Sequence, residues 1–154
     1  MAKKTNIKFA VPERYNADLA SQGIEFKIDT VKGETVGVFH LIYFDRFTQR
    51  GRAQWKRMQL KYRKQAVSGV LSPDDIQLRI FCEVVLVGWS KIFDGEDNEV
   101  PFSVETAIEY FQLDETQWVL EELNRLASNE ANFCEIDEAE EEEAEEPTPD
   151  PAGN

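Results

Sequence analysis

The last twenty residues limit how much of this chain can fold. Residues 135–154 contain ten acidic residues and no basic ones, together with three prolines. Such a segment buries too little apolar surface to offset the entropy lost on ordering, about 1–2 kcal/mol per residue for the backbone. We therefore predict a disordered acidic tail over 135–154, a single globular domain over 24–134, and a loosely structured lead-in over 1–23 with a short helical turn near Ala17.

The globular region opens with two strand patterns. Residues 24–28 (IEFKI) alternate apolar and polar side chains with the period of a half-buried strand. A turn signal at Lys32 and Gly33 follows, and residues 35–44 (TVGVFHLIYF) are rich in β-branched and aromatic side chains. Together these features predict an N-terminal β-hairpin.

After Asp45 the apolar period changes to that of an α-helix. Trp55, Met58, Tyr62 and Ala66 share one helical face, which predicts a basic amphipathic helix. Residues 45–64 carry a net charge of +7 in a chain whose net charge is −13. The basic residues that fill most other positions are Arg50, Arg52, Lys56, Arg57, Lys61, Arg63 and Lys64.

Three further helices are predicted from their start signals. Ser72 can cap a helix that has Pro73 at its first position and continues through an apolar run over 76–86. Ser103 can cap the next helix, and residues 114–117 (DETQ) indicate a variant capping box for the last one. A turn or short hairpin around Gly88 separates the second helix from the third. The predicted fold class is α+β, mainly α, with an N-terminal hairpin, about four helices and the disordered acidic C-terminal tail.

The sequence offers no recognisable catalytic constellation. His40 lies in a strand pattern without a partner at a known catalytic spacing, which favours a structural histidine. Cys82 lies among apolar helical residues, which favours a buried thiol. We therefore expect a protein that is not an enzyme, with no catalytic residues and no cofactor.

The acidic loop that begins at Asp94 invites comparison with a calcium-binding EF-hand. Asp94, Glu96, Asn98 and Glu105 occupy four ligand positions of such a loop, but Glu99 stands where its sharp turn needs glycine. A solvated acidic turn is therefore expected. No metal site is predicted.

The basic helix over 46–64 keeps a second function class open. Clustered Lys and Arg near Trp55 and Tyr62 can mark a nucleic-acid surface, but both aromatic residues lie on the apolar face. The Lys and Arg side chains then form either a solvated face or a binding surface for acidic partners, including the chain's own tail. No run approaches the roughly 18 apolar residues of a membrane helix, and the first residues lack a signal-peptide pattern, so we expect a cytoplasmic protein that does not bind membranes.

Residues 84–107 resemble a pattern in tail assembly chaperones of long-tailed bacteriophages. An apolar helix leads to Gly-Trp, an acidic turn that contains glycine, and a helix start of the form Pro-Phe-Ser. The residues that carry this pattern are Gly88, Trp89, Gly95, Pro101, Phe102 and Ser103. The order of the hairpin, the basic helix and the closing helices is also similar, so the likeness covers about residues 24–130.

This resemblance implies a protein that binds the tape measure protein, keeps its long apolar helices soluble, and helps recruit tail tube (major tail) subunits. It would act in the host cytoplasm and leave before the virion is complete. Groove binding of amphipathic client segments fits the predicted helix-rich acidic domain. The candidate partner-binding residues are Trp89, Phe93, Phe102, Arg50, Arg57 and Lys61.

Other functions stay open at this point. The chain could instead be another phage morphogenesis protein, such as a head–tail connector or a minor tail component. A nucleic-acid-associated regulator that uses residues 46–64 is a further alternative, although the net acidity disfavours nucleic acid as a partner. The sequence leaves self-association undecided.

Overall fold

The computed structural model describes residues 6–134, and the fold is a mainly helical α+β body built on an antiparallel sheet. The described strands are β1 Ile24–Asp29, β2 Thr35–Leu41 and β3 Leu86–Ser90, in the order β1-β2-β3. The described helices are α1 Ala17–Gln22, α2 Gln49–Lys61, α3 Arg63–Val67, α4 Pro73–Ile80, α5 Val104–Phe111 and α6 Gln117–Ser128. The predicted fold class is confirmed for these residues, and the predicted disordered tail over 135–154 lies outside them.

The predicted hairpin is present, but the prediction missed a strand. β1 and β2 pair in antiparallel register, with Phe26 opposite Phe39. The apolar run predicted as one helix over 76–86 leaves the α-helix at Ile80, passes through a π-helical turn over Phe81–Val85, and continues as β3. β3 pairs with β2, and Trp89 lies opposite Phe39. The long-range pairing with β2 overrides the local helical pattern.

The basic helix is also interrupted. α2 ends at Lys61, and the chain continues after Tyr62 as the short helix α3. Met58 and Tyr62 pack against Ile76 and Ile80 of α4, as the apolar face predicted. Ala66 is exposed, because the break after Lys61 ends the regular apolar face.

Two of the three predicted helix caps are confirmed. The Ser72 hydroxyl accepts from the Asp75 N–H at 3.1 Å, and the Asp75 carboxylate accepts from the Ser72 N–H at 3.0 Å. The Ser103 hydroxyl accepts from the Thr106 N–H at 3.1 Å. The predicted capping box over 114–117 is wrong, because Asp114–Thr116 form a 3₁₀ turn and α6 begins at Gln117 without a side-chain cap.

The core lies between the sheet and helices α4 to α6. The side chains buried at its centre are Phe39, Leu41, Phe81, Cys82, Val85, Leu86, Phe111, Val119 and Leu123. α1 joins this body from the segment predicted as a loose lead-in: Ala20 is buried, and the Asn16 N–H just before α1 donates to the Phe133 carbonyl at 2.8 Å. No helix within residues 6–134 combines the length and apolar character needed to cross a membrane.

Candidate functional site

An open groove of about 730 Å³ lies where α4 and α6 approach the start of α2. Its size falls within the roughly 300–1,000 Å³ typical of ligand-binding clefts. The apolar side chains that line it are Phe44, Phe47, Trp55, Leu78, Ile80, Phe81, Val85, Phe111 and Leu120. The groove therefore has an apolar floor formed largely by core residues.

Polar groups surround this floor, and most of the charged ones are negative. Arg46 is the one cation among the described residues that line the groove. The carboxylates are Asp45, Asp74, Asp75 and Glu121, and the amides are Gln77, Gln112, Gln117 and Asn124. A ligand with an apolar face and basic groups beside it would match this surface in both shape and charge.

A hydrogen-bonded turn holds Arg46 and Phe47 at the mouth of the groove. The Asp45 carboxylate accepts from the Phe47 N–H at 2.9 Å, and the Asp45 carbonyl accepts from the Thr48 hydroxyl at 2.7 Å. Thr48 in turn caps α2 by accepting from the Gly51 N–H at 3.1 Å. This turn leaves the Phe47 ring 73% exposed.

Gly51 allows the turn to lie against α2. A Cβ atom at this position would lie 1.8 Å from the Asp45 carbonyl oxygen, well inside van der Waals contact. The Arg46 guanidinium lies over the rings of Phe47, at 5.1 Å, and Trp55, at 5.6 Å. Cation–π attraction of this kind favours the arrangement of the three side chains.

One rim carboxylate is held in its charged form. The hydrogen bond from the Ser72 backbone N–H lowers the pKa of Asp75 most, and a hydrogen bond from the Ser72 side chain lowers it further. Asp75 is therefore ionised at neutral pH, and this part of the rim is negative.

The predicted partner-binding residues lie elsewhere and do not form one site. None of the six lines the groove. Arg50 lines a second cavity of about 520 Å³ beside Tyr15 and Tyr43, while Arg57 and Lys61 are exposed on α2. Phe93 is 56% exposed at the acidic turn.

Trp89 and Phe102 pack into the body at the two ends of that turn. Their ring centroids are 5.4 Å apart, and Trp89 also packs edge-on against Tyr110 at 5.5 Å. The Trp89 indole N–H donates to the Val100 carbonyl at 2.9 Å. These contacts give the Gly-Trp and Pro-Phe-Ser motif a structural role: it closes the turn onto the core.

His40, Cys82 and Asp94 lie in environments that give each of them a structural role. The Nε2 atom of His40 lies 2.9 Å from the Gln22 carbonyl and can donate to it. Burial raises the pKa of the Cys82 thiol to about 12, so the thiolate is not populated at neutral pH. One Asp94 carboxylate oxygen accepts from the N–H groups of Glu96, at 2.9 Å, and Asn98, at 3.0 Å, as in an Asx turn.

A cluster on α2 and the π-helical turn fixes part of the basic helix. The Glu83 carboxylate accepts from the Tyr62 hydroxyl and from Lys61 Nζ, the latter at 2.9 Å. Burial raises the pKa of Glu83, but these two hydrogen bonds and the positive charges of Lys61 and Arg79 together outweigh burial and leave the pKa below its ordinary value. Glu83 is thus a charged anchor between the two elements.

The fold and the groove define a small mixed α+β protein with an open, apolar-floored cleft. A model of the YdaY prophage protein family matches residues 44–146, about two thirds of the chain. The chain belongs to this family and is therefore of phage origin. No curated protein and no solved structure matches it.

The residues that line the groove lie within the range that the family model matches. Within residues 6–134, every residue that lines the groove falls between Phe44 and Ser128, inside the matched range. β1 and β2 fall outside that range. The groove is thus a feature of the part of the chain that the family defines.

Proposed function

We propose that this chain is a non-enzymatic tail assembly chaperone that holds an amphipathic segment of the tape measure protein in the groove. The observation that carries the proposal is the apolar floor with its mainly acidic rim, which lies wholly within the family-matched range. Its resemblance to tail assembly chaperones over residues 84–107 supports the same assignment. In this role the chain keeps its client soluble, helps recruit tail tube subunits, and leaves before the particle is complete.

The groove suits a helix with one apolar face. Side chains spaced at i, i+3 or i+4, and i+7 would enter it from a client helix, as in other helix-in-groove complexes. Phe47 is the groove residue best placed to contact such a helix, because its ring is mostly exposed at the mouth. Basic residues beside the client's apolar face would meet Asp74, Asp75 and Glu121.

Apolar burial supplies most of the affinity in this mechanism, and the rim sets orientation. Binding should therefore persist at about 1 M salt, where the Debye length is only about 3 Å. The net charge of −13 helps to keep the complex of chaperone and apolar client from aggregating.

Co-expression with the tape measure protein of the same prophage tests the proposal. Alone, the tape measure protein should be insoluble, and with this chain it should appear in the soluble fraction as a co-purifying complex. Phe47→Ala should reduce the co-purified amount at least several-fold. Phe93→Ala is the matched control, because Phe93 is also an exposed phenylalanine but lies outside the groove.

Two results would contradict the proposal. The first is a tape measure protein that stays insoluble with the wild-type chain. The second is loss of the complex with Phe93→Ala but not with Phe47→Ala. Detection of the chain in purified virions would instead favour a head–tail connector or a minor tail component.

A further inference from the structure

The exposed side of α2 and α3 concentrates positive charge. We call it the basic face, and its members are Arg50, Arg52, Lys56, Arg57, Lys61, Arg63 and Lys64, all exposed. Among the residues that the structure describes, Lys61 is the only member with a carboxylate in ion-pair distance. Arg50 and Arg52 contact neutral oxygens, the Ser21 hydroxyl and the Phe47 carbonyl.

This arrangement is electrostatically unfavourable on its own. Arg52 and Lys56, like Arg57 and Lys61, are like charges at i, i+4 spacing, which destabilises an isolated helix. The charges also exceed what Glu83 can neutralise, since Lys61 is the one member of the basic face with which it forms an ion pair among the described residues. An anionic partner on the basic face would relieve this repulsion.

The described chain ends close to the start of the basic face. The Phe133 ring packs against Tyr43, with centroids 5.4 Å apart, and Tyr43 packs against Tyr15 at 4.8 Å. Tyr15 and Tyr43 line the cavity of about 520 Å³ whose other wall includes Arg50 and Gln54. The described chain therefore ends beside this cavity, and the first turn of α2 lines the same cavity.

The remaining chain has the charge and the length to cover the basic face. Residues 135–154 contain ten carboxylates and no basic residue. Twenty residues can reach on the order of 60 Å at roughly 3.3 Å each, whereas a thirteen-residue helix such as α2 is only about 20 Å long. Attachment to the same chain also raises the effective concentration of this segment to the millimolar range.

We infer that the acidic segment 135–154 docks on the basic face of its own chain. It occupies the surface in the way that a phosphate backbone would, through many charge pairs with the Lys and Arg side chains. The docked segment thereby keeps nucleic acid from this face, while the groove, to which α2 contributes Trp55 of its apolar face, stays free for a client. The inference concerns the chain alone and is independent of the proposed function.

Zero-length carbodiimide cross-linking of the full chain tests the docking. At low salt and micromolar protein concentration, cross-links from residues 135–150 should concentrate on Lys56, Lys61 and Lys64. They should fall steeply when the salt is raised to about 1 M. Lys27, Lys32 and Lys91 are exposed lysines outside the basic face and serve as internal controls.

The cross-linking result can overturn the inference in two ways. Cross-links spread evenly over the control lysines would show that the segment has no preferred surface. Cross-links found mainly between isotopically light and heavy chains in a mixed sample would assign the segment to a second copy instead.

A second experiment measures the consequence for nucleic acid. A full-length variant has six tail glutamates replaced by glutamine: Glu140→Gln, Glu141→Gln, Glu142→Gln, Glu143→Gln, Glu145→Gln and Glu146→Gln. The matched control removes the same charge elsewhere: Glu25→Gln, Glu34→Gln, Glu96→Gln, Glu105→Gln, Glu109→Gln and Glu115→Gln. Both variants have a net charge of −7.

Fluorescence anisotropy with a labelled DNA duplex of random sequence gives the readout. The tail variant should bind the duplex at least tenfold more tightly than the wild type, and more tightly than the control variant. Addition of Arg57→Glu to the tail variant should remove most of that gain. Equal affinity of the tail variant and the control variant would contradict the inference, because total charge alone would then explain the effect.

Discussion

Replacing Trp89 with alanine tests whether this residue supports the fold or contacts a partner. The substitution removes ring contacts with Phe39, Phe102 and Tyr110, at centroid distances of 6.5, 5.4 and 5.5 Å. Such aromatic pairs contribute about 0.5–1.5 kcal/mol each. The lost indole hydrogen bond to the Val100 carbonyl adds about 0.5–1.5 kcal/mol.

Together these contributions amount to about 2–6 kcal/mol, and we expect a loss of free energy of unfolding of about 3 kcal/mol. This is the lower end of the roughly 3–5 kcal/mol usual for truncating a buried tryptophan, because Trp89 is only half-buried. Urea unfolding followed by far-ultraviolet circular dichroism measures the change. With a slope of about 1–3 kcal/mol per molar urea, the midpoint should fall by roughly 1–3 M.

Trp118→Ala is the matched control, because Trp118 is 44% exposed on α6. Its midpoint should change much less. An unchanged midpoint for Trp89→Ala, combined with loss of tape measure protein binding, would refute the structural role. Trp89 would then belong to a partner interface, as the sequence pattern predicted.

Three further predictions concern other parts of the body. Gly51→Ala should cost about 1–3 kcal/mol through overlap with the Asp45 carbonyl, whereas Gly95→Ala, which has open space around it, should leave the urea midpoint nearly unchanged. Glu83→Gln should cost about 1–2 kcal/mol at neutral pH. The pKa of Glu83 in the folded protein lies below its ordinary value of 4.5. The difference in free energy of unfolding between the wild type and Glu83→Gln should therefore shrink below about pH 4.5, and it should vanish as the pH falls through the pKa of the folded state. Melting curves with a chelator and with millimolar calcium should superimpose, because backbone N–H groups already occupy one Asp94 carboxylate oxygen; a calcium-dependent rise of many degrees would contradict this.

The features predicted correctly from sequence are those set by local chemistry. The alternation over 24–28, the Ser72 and Ser103 caps, and the packing of Met58 and Tyr62 each depend on residues a few positions apart. Propensity and periodicity report such short-range preferences directly.

The features that were missed depend on contacts between distant parts of the chain. Leu86 continues a helical apolar run and becomes a strand only because Leu41 of β2 pairs with it. The capping box over 114–117 fails because the Gln117 side chain, which should bond back to the start of the helix, donates instead to the carbonyls of Phe111, at 2.6 Å, and Leu113, at 2.9 Å. Short-range sequence patterns cannot reveal either the strand pairing or the hydrogen bonds that replace the capping box.

The groove could not be predicted because its wall is assembled from separated segments. Phe47, Leu78 and Leu120 come together only in the folded chain. Phe47 also gives no sign in the sequence that its ring is exposed, since an aromatic residue before a helix cap more often packs inward. The sequence instead emphasised Trp89 and Phe102, which are distinctive as a motif but pack against the core.

Site-specific photo-cross-linking tests the central claim most directly. A benzophenone amino acid replaces Phe47 at the mouth of the groove in one variant, and Phe93 at the acidic turn in another. Both positions are exposed, so both variants should fold. On irradiation of the co-expressed complex, we expect the Phe47 position to yield a covalent adduct with the tape measure protein and the Phe93 position to yield little or none. Cross-linking from the Phe93 position with none from the Phe47 position would contradict the claim that the groove holds the client.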